Sequence, residues 1–475
     1  MFELHHLSAQ DQWDWLQRGD VSPVELTEHY LRRIEGLNPR LGAFSRVDGD
    51  RALDRARALE RGTGELWGLP LAEKELWRRA GQPATGGSRA LAGTVAETTD
   101  EIVRVLDDAG SVSLGATTAP EFGFPSYTEP LGRPPARNPY DLSLGAGGSS
   151  GGAAVAVAAG LLPVAPGSDG GGSIRIPAAA TGLVGLKPSR GLVPAGAAAD
   201  SVGGLVVPGP LARSVADAAM LLDAMTARRS GAIDYPRTLR APDPGRLLGA
   251  AVRGEGRFSI GVTQQSPWDG AYEVTVSPEA RDALTLALEA LAAVGHGIED
   301  ASLPDSSAYP GAFRVLWQAG AAVLPLDDAA LDRVEPLTAW LVRAGRALPA
   351  GALVEALTAL GDFERALLRR LFLPEGARLD ALLTPALALT PRPLGWYDAE
   401  DGERNFAQQV QYTPFTSFVN ATGLPAITLP VTVTGEGLPM GVQLIGRPGG
   451  EATLVSIARQ LERRFDWQRR HPPQW

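Results

Sequence analysis

Residues 145–191 read GAGGSSGGAAVAVAAGLLPVAPGSDGGGSIRIPAAATGLVGLKPSRG, and the interpretation of the whole chain starts from them. This stretch holds 13 glycines in 47 positions, against 56 in all 475 residues, which is more than twice the average density. Glycine is used where the backbone must approach another group closely or adopt a positive φ. Two glycine clusters, at 147–152 and 170–173, enclose serines, and the Ala/Val segment between them predicts a buried helix.

The second cluster, Gly170-Gly171-Gly172-Ser173, stands just before another predicted helix. Free backbone N–H groups at such a position, gathered around one serine hydroxyl, have the geometry of an oxyanion hole. A flexible Gly/Ser linker is the alternative interpretation. The Ala, Val and Ile residues on both sides favour a packed site, because linkers do not have apolar flanks of this kind.

Three pieces of the stretch, GGSSGG, GSDGGGSIRIPAA and GLVGLKPSRG, resemble the signature of the amidase signature family of serine hydrolases. The resemblance extends from about residue 8 to about residue 465 and is weakest between about 225 and 400. It implies a Ser–cis-Ser–Lys triad. In this triad Ser173 is the nucleophile, Ser149 is the bridging serine after a cis peptide bond to Gly148, and Lys74, in GLPLAEKELW, is the base.

Other residues of the stretch receive supporting roles. The oxyanion hole is assigned to four consecutive residues and the support to three others: Gly170, Gly171, Gly172 and Ser173, then Ser150, Asp169 and Arg175. Ser150 is expected to hydrogen-bond the lysine. Asp169 and Arg175 form either a catalytic acid–base pair or a buried ion pair that holds the glycine loop, and the second interpretation is favoured. The sequence departs from the family pattern at Glu75, where Asp is more common, and at Thr118, where Asn is usual.

Composition limits the classes of function. A net charge of −10 and a pI near 5.2 argue against nucleic-acid binding. The absence of cysteine excludes disulfides, thiolate nucleophiles and cysteine-bound zinc. The N-terminus lacks the pattern of a signal peptide, and the longest apolar run, 153–166, is too short to span a membrane. We therefore expect a cytoplasmic protein that uses no cofactor or metal ion.

A rival nucleophile is also present, because residues 147–151 satisfy the G-x-S-x-G pattern of α/β-hydrolases around Ser149. That mechanism needs a histidine further along the chain, and only His296 and His471 qualify. Neither lies in a distinctive sequence context. The glycine clusters match neither the P-loop pattern nor GxGxxG, so a nucleotide site is not expected.

Strands and helices alternate along the chain, which predicts an α/β fold with one large, mixed, mainly parallel sheet and helices on both faces. A β–α–β unit is expected at 258–303, a surface loop at 236–257, mainly helices at 307–373, and a hairpin at 427–445. Ser22 and Glu25 predict a capping box at the start of a helix. We expect one domain, residues 1–475, in which about 225–400 is a variable region that shapes the substrate pocket.

The function expected from the resemblance is hydrolysis of a carboxylic amide through a seryl acyl-enzyme. The substrate is a small-molecule amide, with aryl acylamides, peptide amides, nylon-type oligoamides and carbamates all open, and the enzyme is a monomer or homodimer. The alternative is the amidase subunit of a glutamine-dependent tRNA amidotransferase. Five aromatic residues in or beside the variable region either line an acyl or aryl pocket or belong to ordinary core and surface packing, and the second interpretation is favoured: Trp317, Trp340, Trp396, Tyr397 and Tyr412.

Overall fold

The computed structural model of the protein describes residues 3–62, 64–193, 202–227, 245–373 and 376–475. The strands of these ranges are β1 Phe44–Val47, β2 Pro70–Lys74, β3 Val112–Thr117, β4 Arg137–Asn138, β5 Asp141–Gly145, β6 Val164–Asp169, β7 Val184–Lys187, β8 Val207–Ala212, β9 Ser259–Val262, β10 Gly297–Asp300, β11 Ala381–Pro385, β12 Ala426–Val433 and β13 Pro439–Gly446. The helices are α1 Ala9–Arg18, α2 Pro23–Leu41, α3 Gly49–Ala58, α4 Glu101–Asp108, α5 Gly151–Ala158, α6 Arg175–Ala180, α7 Val215–Thr226, α8 Arg246–Arg253, α9 Pro278–Ala293, α10 Tyr309–Ala322, α11 Asp328–Leu331, α12 Pro336–Arg346, α13 Ala350–Leu371, α14 Gly402–Tyr412, α15 Ser417–Ala421 and α16 Glu451–Phe465.

Eight strands form the main sheet, in the order β10-β9-β11-β13-β12-β7-β8-β6. Three more strands form a smaller sheet, β1-β3-β2, and β4 pairs with β5. The last residue of β2 is hydrogen-bonded to a residue of β6, the edge strand of the main sheet. The two sheets therefore meet where β2 and β6 end, and the two glycine clusters lie at this junction.

Helices cover both faces of the main sheet. On β11, Ala381 and Leu383 belong to the apolar cluster that includes α7, α9 and α16. Leu382, between them, belongs to a separate cluster with α10, α13 and α14. Because successive side chains of a strand point to opposite faces, the two helix layers lie on opposite sides of the sheet. The α/β fold expected from the sequence is confirmed.

The strand directions are more mixed than the sequence suggested. In the main sheet β9 pairs in parallel with β10 and β11, whereas the five other neighbouring pairs are antiparallel. The expected β–α–β unit is present as β9-α9-β10, with a parallel pair at its ends, and the hairpin is β12-β13. Of these antiparallel pairs only β12-β13 is a hairpin, and the others join strands that are further apart in the chain, so the expectation of a mainly parallel sheet does not describe these pairs.

Local signals in the sequence were mostly correct. The Ser22 hydroxyl accepts a hydrogen bond from the Glu25 amide, and the Glu25 carboxylate accepts one from the Ser22 amide, so the capping box is present. The segment 307–373 contains the helices α10 to α13, as expected. The loop expected at 236–257 is wrong in its second half, where α8 packs Leu247 and Ala251 into the core. Residues 236–244 of that loop lie outside the described residues.

Within the ranges given above, none of the helices combines the length and apolar character needed to cross a membrane.

Candidate active site

Lys74, the last residue of β2, is buried among hydroxyl and carbonyl groups. Its side chain is 0% exposed, so the amine is shielded from bulk solvent. The Nζ atom lies 2.8 Å from Ser149 Oγ, 3.0 Å from Ser168 Oγ and 3.3 Å from the Ser168 carbonyl oxygen. These three partners are uncharged. The lysine therefore sits in a polar cage without a directly paired carboxylate.

This environment changes the proton affinity of the amine. Burial lowers the pKa of Lys74 from its usual value near 10.5 to about 7, and the charge of Asp169 opposes part of that effect. Water stabilises an ammonium ion far better than hydroxyl dipoles do, so burial favours the neutral amine. A neutral amine is able to accept a proton near pH 7.

The loop from β6 to α6 carries Ser173 and is fixed by a buried ion pair. Arg175 Nη2 and Nε lie 2.9 Å from Asp169 Oδ1 and Oδ2, and both side chains are fully buried. The same carboxylate accepts the backbone N–H groups of Gly172, at 2.7 Å, and Ile174, at 3.1 Å. The pair thus fixes the glycine loop, which is the structural role favoured from the sequence.

Three further residues, not singled out from the sequence, complete this network. The Arg175 guanidinium donates to Gln443 Oε1 and Asn420 Oδ1, both at 2.6 Å, and to the Thr416 carbonyl at 3.0 Å. Burial alone would raise the pKa of Asp169, but the charge and hydrogen bonds of Arg175 outweigh burial and hold this pKa below its usual value. Asn420 stood in the sequence before the hairpin, but no local pattern connected it with a residue 245 positions away.

The backbone amides expected to form the oxyanion hole are not equivalent. The Gly172 amide is bonded to Asp169, so it is not available to a substrate oxygen in this conformation and its assignment to the oxyanion hole is wrong here. For Gly170, Gly171 and Ser173, no acceptor of the amide is found among the described residues. The Gly171 carbonyl accepts the Thr416 hydroxyl at 2.7 Å. Three amide donors thus remain around Ser173.

The two serine clusters are joined directly. The Ser150 amide donates to the Ser173 carbonyl at 3.1 Å, and the peptide bond between Gly148 and Ser149 is cis, as the resemblance implied. Ser150 does not contact the amine in the way expected. Its hydroxyl instead hydrogen-bonds the backbone of Ser168, at 3.3 Å from both the amide and the carbonyl oxygen, because Ser168 occupies the place beside Lys74.

Ser168 is thus a site residue that no sequence pattern had singled out. It precedes Asp169 in the GSDGGG piece and lies on β6, where its hydroxyl reaches Lys74. The alternation of side chains along β6 places Ser168 and Asp169 on opposite faces of the strand. That alternation is a signal that could have separated the residue facing the lysine from the residue facing Arg175.

An open pocket leads to Ser173, and the empty space in it and in the adjoining solvent together is about 460 Å³. Its described lining is Phe124, Pro125, Ser126, Gly171, Ser173, Ile176, Trp268, Phe313, Trp317, Phe406, Gln409, Val410, Thr413 and Ser417. Five of these fourteen residues are aromatic. Trp317 lies across the glycine loop, where its ring is 3.7 Å from the places that a Cβ atom would take on Gly170 and Gly171.

The aromatic residues proposed from the sequence divide between this pocket and the packing around it. Trp317 lines the pocket. Trp340 packs on Gly402 and beneath the Arg314 guanidinium, and Trp396, Tyr397 and Tyr412 belong to a separate apolar cluster. For these four the ordinary packing that was favoured from the sequence describes their environment. The remaining aromatic wall comes from segments that are far apart in sequence, at 124, 268, 313 and 406, and their convergence depends on the tertiary fold.

The two departures from the family pattern have clear local roles. The Glu75 carboxylate pairs with Arg133 and accepts the Ala119 amide at 3.3 Å, so it faces away from Lys74. The Thr118 carbonyl accepts the Gly152 amide at 3.0 Å, which anchors the start of α5. Neither residue is among those that line the pocket.

The rival mechanism requires an imidazole beside Ser149. His296 accepts the Phe258 amide at 3.1 Å and stacks on the Phe258 ring. His471 stacks on Trp475 at a centroid distance of 3.9 Å. The hydroxyl of Ser149 has Lys74 as its partner instead, so the arrangement fits an amine base and not a histidine base.

A buried amine, two serines and a loop of free amides define the class to which such a site belongs: serine hydrolases that act on acyl groups. Comparison with known proteins makes the class specific. The family model described as Amidase matches residues 25–455. The protein named "Putative amidase AmiB2" of Mycobacterium tuberculosis is 37% identical over 487 residues, which cover 99% of this chain and 98% of the relative.

Two other relatives bear on the choice of function. A subunit of the glutamyl-tRNA(Gln) amidotransferase from Chloroflexus aurantiacus is 33% identical over 506 residues, covering 99% of each chain. The solved structure of 6-aminohexanoate cyclic dimer hydrolase is 29% identical, covers 100% of both chains and superposes with a TM-score of 0.90. The chain belongs to the amidase family, whose enzymes hydrolyse carbon–nitrogen bonds of amides.

Proposed function

We propose that this protein hydrolyses a carboxylic amide through a seryl acyl-enzyme, with Ser173 as nucleophile, Ser149 as proton relay and Lys74 as base. The observation that carries the proposal is the 2.8 Å contact between Lys74 Nζ and Ser149 Oγ at a fully buried amine. A serine hydroxyl is a weak nucleophile until a base takes its proton. The lowered pKa, about 7, provides a base that is half neutral at physiological pH.

The hydrogen-bond pattern around Lys74 supports a direction for the proposed proton transfer. A neutral amine has two N–H donors and one lone pair. Ser168 offers two acceptors, its carbonyl and its hydroxyl, at 3.3 and 3.0 Å. If both N–H groups point to Ser168, the lone pair faces Ser149 Oγ, which then donates its proton to the amine and accepts the proton of Ser173. Ser168 is thus proposed as the residue that orients the base.

In acylation, Ser173 Oγ attacks the substrate carbonyl carbon while its proton passes to Ser149 and the Ser149 proton passes to Lys74. The negative charge on the substrate oxygen is held by the amides of Gly170, Gly171 and Ser173. The carbon–nitrogen bond then breaks, and the proton returns from Lys74 through Ser149 to the departing amine. Water next attacks the acyl ester with the same proton transfers, which releases the acid and restores Ser173.

The decisive experiment removes each member of the proposed triad in turn. Ser173→Ala and Lys74→Ala should each abolish hydrolysis of a simple aryl amide while the circular-dichroism spectrum and unfolding midpoint show a folded protein. Lys187→Met is the matched control, because Lys187 is an equally buried lysine that bonds only the neighbouring Pro188 carbonyl among the hydrogen bonds described. Full activity in Ser173→Ala or Lys74→Ala would end the proposal.

The amidase subunit of a tRNA amidotransferase is the second candidate, and the 33% identity to such a subunit is the observation that favours it. In that case glutaminase activity would appear only with a partner subunit. Pull-down with the chain as bait, followed by glutaminase assays with and without any captured protein, decides between the two. Hydrolysis of aryl amides by the purified chain alone supports the free-standing amidase.

Three finer expectations complete the proposal. The chain is proposed to be cytoplasmic and monomeric or homodimeric, to be checked by cell fractionation and by light scattering on the purified protein. Within the single domain expected for 1–475, the region 225–400 is proposed to shape the pocket, and Trp268, Phe313 and Trp317 in the lining support this. Aryl acylamides, nylon-type oligoamides and carbamates are the substrate groups that remain open.

A further inference from the structure

The absence of charged side chains from the described pocket lining limits the range of acyl groups that the pocket can bind. Every described residue that lines it is uncharged, and seven of the fourteen are Phe, Trp, Ile or Val. The buried cation under the loop, Arg175, is fully engaged by Asp169, Gln443, Asn420 and the Thr416 carbonyl. A charged group entering this pocket would therefore lose its water without gaining an ion of opposite sign.

Three of the five polar side chains of the lining are also committed to the protein. Ser417 Oγ accepts the indole N–H of Trp268 at 3.0 Å and the Tyr309 hydroxyl at 2.9 Å. The Thr413 hydroxyl donates to the Gln409 carbonyl at 2.9 Å. The Gln409 side chain accepts the Ser126 amide and donates to Asn405, both at 2.8 Å. Few donors or acceptors remain to replace the hydration shell of a carboxylate or an ammonium group.

The chemistry of the proposed reaction indicates which half of the substrate occupies the pocket. The acyl group stays bonded to Ser173 through both half-reactions, whereas the amine must leave and water must enter in its place. A wall of aromatic side chains suits the half that stays, because it shields the acyl ester without having to open. The leaving side must face solvent instead.

Resting on the proposed function, we infer that this enzyme selects amides whose acyl group is uncharged and apolar and rejects acyl groups that carry a carboxylate or an ammonium ion. Apolar pockets bind apolar groups by burying their surface. Burial of an ion without a partner is strongly unfavourable. Glutamine, whose acyl half carries both an ammonium and a carboxylate, falls in the rejected class.

The test is a set of p-nitroanilides with one leaving group and acyl chains of equal length: hexanoyl, adipoyl and 6-aminohexanoyl. We expect kcat/KM for the hexanoyl compound to exceed that for the two charged compounds by about 100-fold or more. If acylation is slow, most of the difference in kcat/KM should appear in KM, because the pocket binds the uncharged chain in the ground state as well as in the transition state. Ratios below about threefold would overturn the inference.

A charge introduced into the wall should reverse the preference. Val410→Lys places an ammonium group in the pocket, and Val410→Met is the matched control with a chain of similar length and no charge. The lysine variant should gain at least about 10-fold in the adipoyl-to-hexanoyl ratio, and the methionine variant should not. Equal ratios in the two folded variants would show that the acyl chain does not enter this pocket. Unfolding midpoints verify that both variants fold. If either variant does not fold, the wild-type p-nitroanilide series still tests the inference.

A second series separates the two halves of the substrate. Amides of hexanoic acid with aniline, 4-aminobenzoate and 4-aminobenzylamine carry the charge on the amine instead, and we expect them to differ by less than about 10-fold. Discrimination in this series with none in the acyl series would overturn the assignment of the pocket to the acyl group. Absence of cleavage in both series, together with absence of fluorophosphonate labelling at Ser173, would instead count against the proposed function itself and remove the basis of the inference.

Discussion

Protonation of Lys74 should switch the enzyme off as the pH falls through about 7. The pKa of this buried amine is about 7, against about 10.5 for an exposed lysine. At pH 7 about half of the molecules therefore hold the neutral amine, whereas an unperturbed lysine would be neutral in about 3 of 10,000. Burial thus increases the population of the active base by roughly three orders of magnitude.

The profile of kcat/KM against pH gives the direct assay. With hexanoyl p-nitroanilide as substrate, log kcat/KM should rise with a slope of one below pH 6 and reach a plateau above pH 8. Lys187 is a possible confounder, since burial also lowers its pKa to about 7. The same limb should persist in Lys187→Met. A limb that disappears in that variant, or one centred near pH 10, would refute Lys74 as the titrating base.

Burial of the same amine should also be visible in stability. The folded pKa is lower than the unfolded pKa, so between pH 7 and 10.5 the unfolded state binds more protons and stability rises with pH. Below pH 7 both states are protonated and the full penalty of about 5 kcal/mol applies. Lys74→Met removes this penalty, and Lys187 contributes equally to both proteins. The stability advantage of Lys74→Met in urea titrations should shrink by about 1.4 kcal/mol per unit between pH 7 and 10. A constant difference would show that the wild-type amine is not neutralised by burial.

Three further substitutions test the loop and the cage. Ser168→Ala should lower kcat about 10-fold or more with KM nearly unchanged, because the lone pair of Lys74 loses its orientation, and a KM effect alone would contradict this role. Asp169→Asn should destabilise the fold by about 3–5 kcal/mol in urea titrations, since Arg175 becomes an unpaired buried charge, and a loss below 1 kcal/mol would contradict the role of the ion pair. Gly172→Ala should cost about 1–3 kcal/mol and most of the activity, because Gly172 has φ of +131° and the new methyl group would lie 2.4 Å from Thr416 Oγ1; wild-type activity would show that the loop adapts.

Features of the site that are encoded in contiguous residues could be predicted from the sequence, whereas features formed by distant residues could not. The nucleophile loop, the two serine clusters and the capping box at Ser22 are written in contiguous residues, and each corresponds to a described feature. Lys74 was identified by its position in a family pattern, and no residue beside it in the sequence indicates that it is buried. Its neutral cage comes from Ser149 and Ser168, which are 75 and 94 positions away.

The pocket lining and the strand directions could not be predicted from the sequence either, because both depend on how the elements dock in the tertiary fold. Trp396 and Tyr397 have the composition expected of a pocket wall, yet they stack with Tyr127 and Arg392 in a separate cluster. Trp268 and Phe406 line the pocket instead. Which aromatic residue faces the site depends on how α10 and α14 dock on the sheet, and periodicity within one helix does not determine that docking. Strand direction likewise depends on which strands become neighbours after folding.

The position of the site at the junction of two sheets explains how one chain can keep both a neutral base and a buried ion pair. Lys74 comes from β2 of the small sheet, while Ser168 and Asp169 come from adjacent positions of β6. Since adjacent side chains of a strand point to opposite faces, the backbone of β6 separates the amine from the carboxylate that would otherwise pair with it. Arg175 then occupies the carboxylate with two hydrogen bonds, so Asp169 raises the pKa of Lys74 by less than burial lowers it. One strand thus supplies hydroxyl and carbonyl acceptors to the base on one side and holds the nucleophile loop through Asp169 on the other.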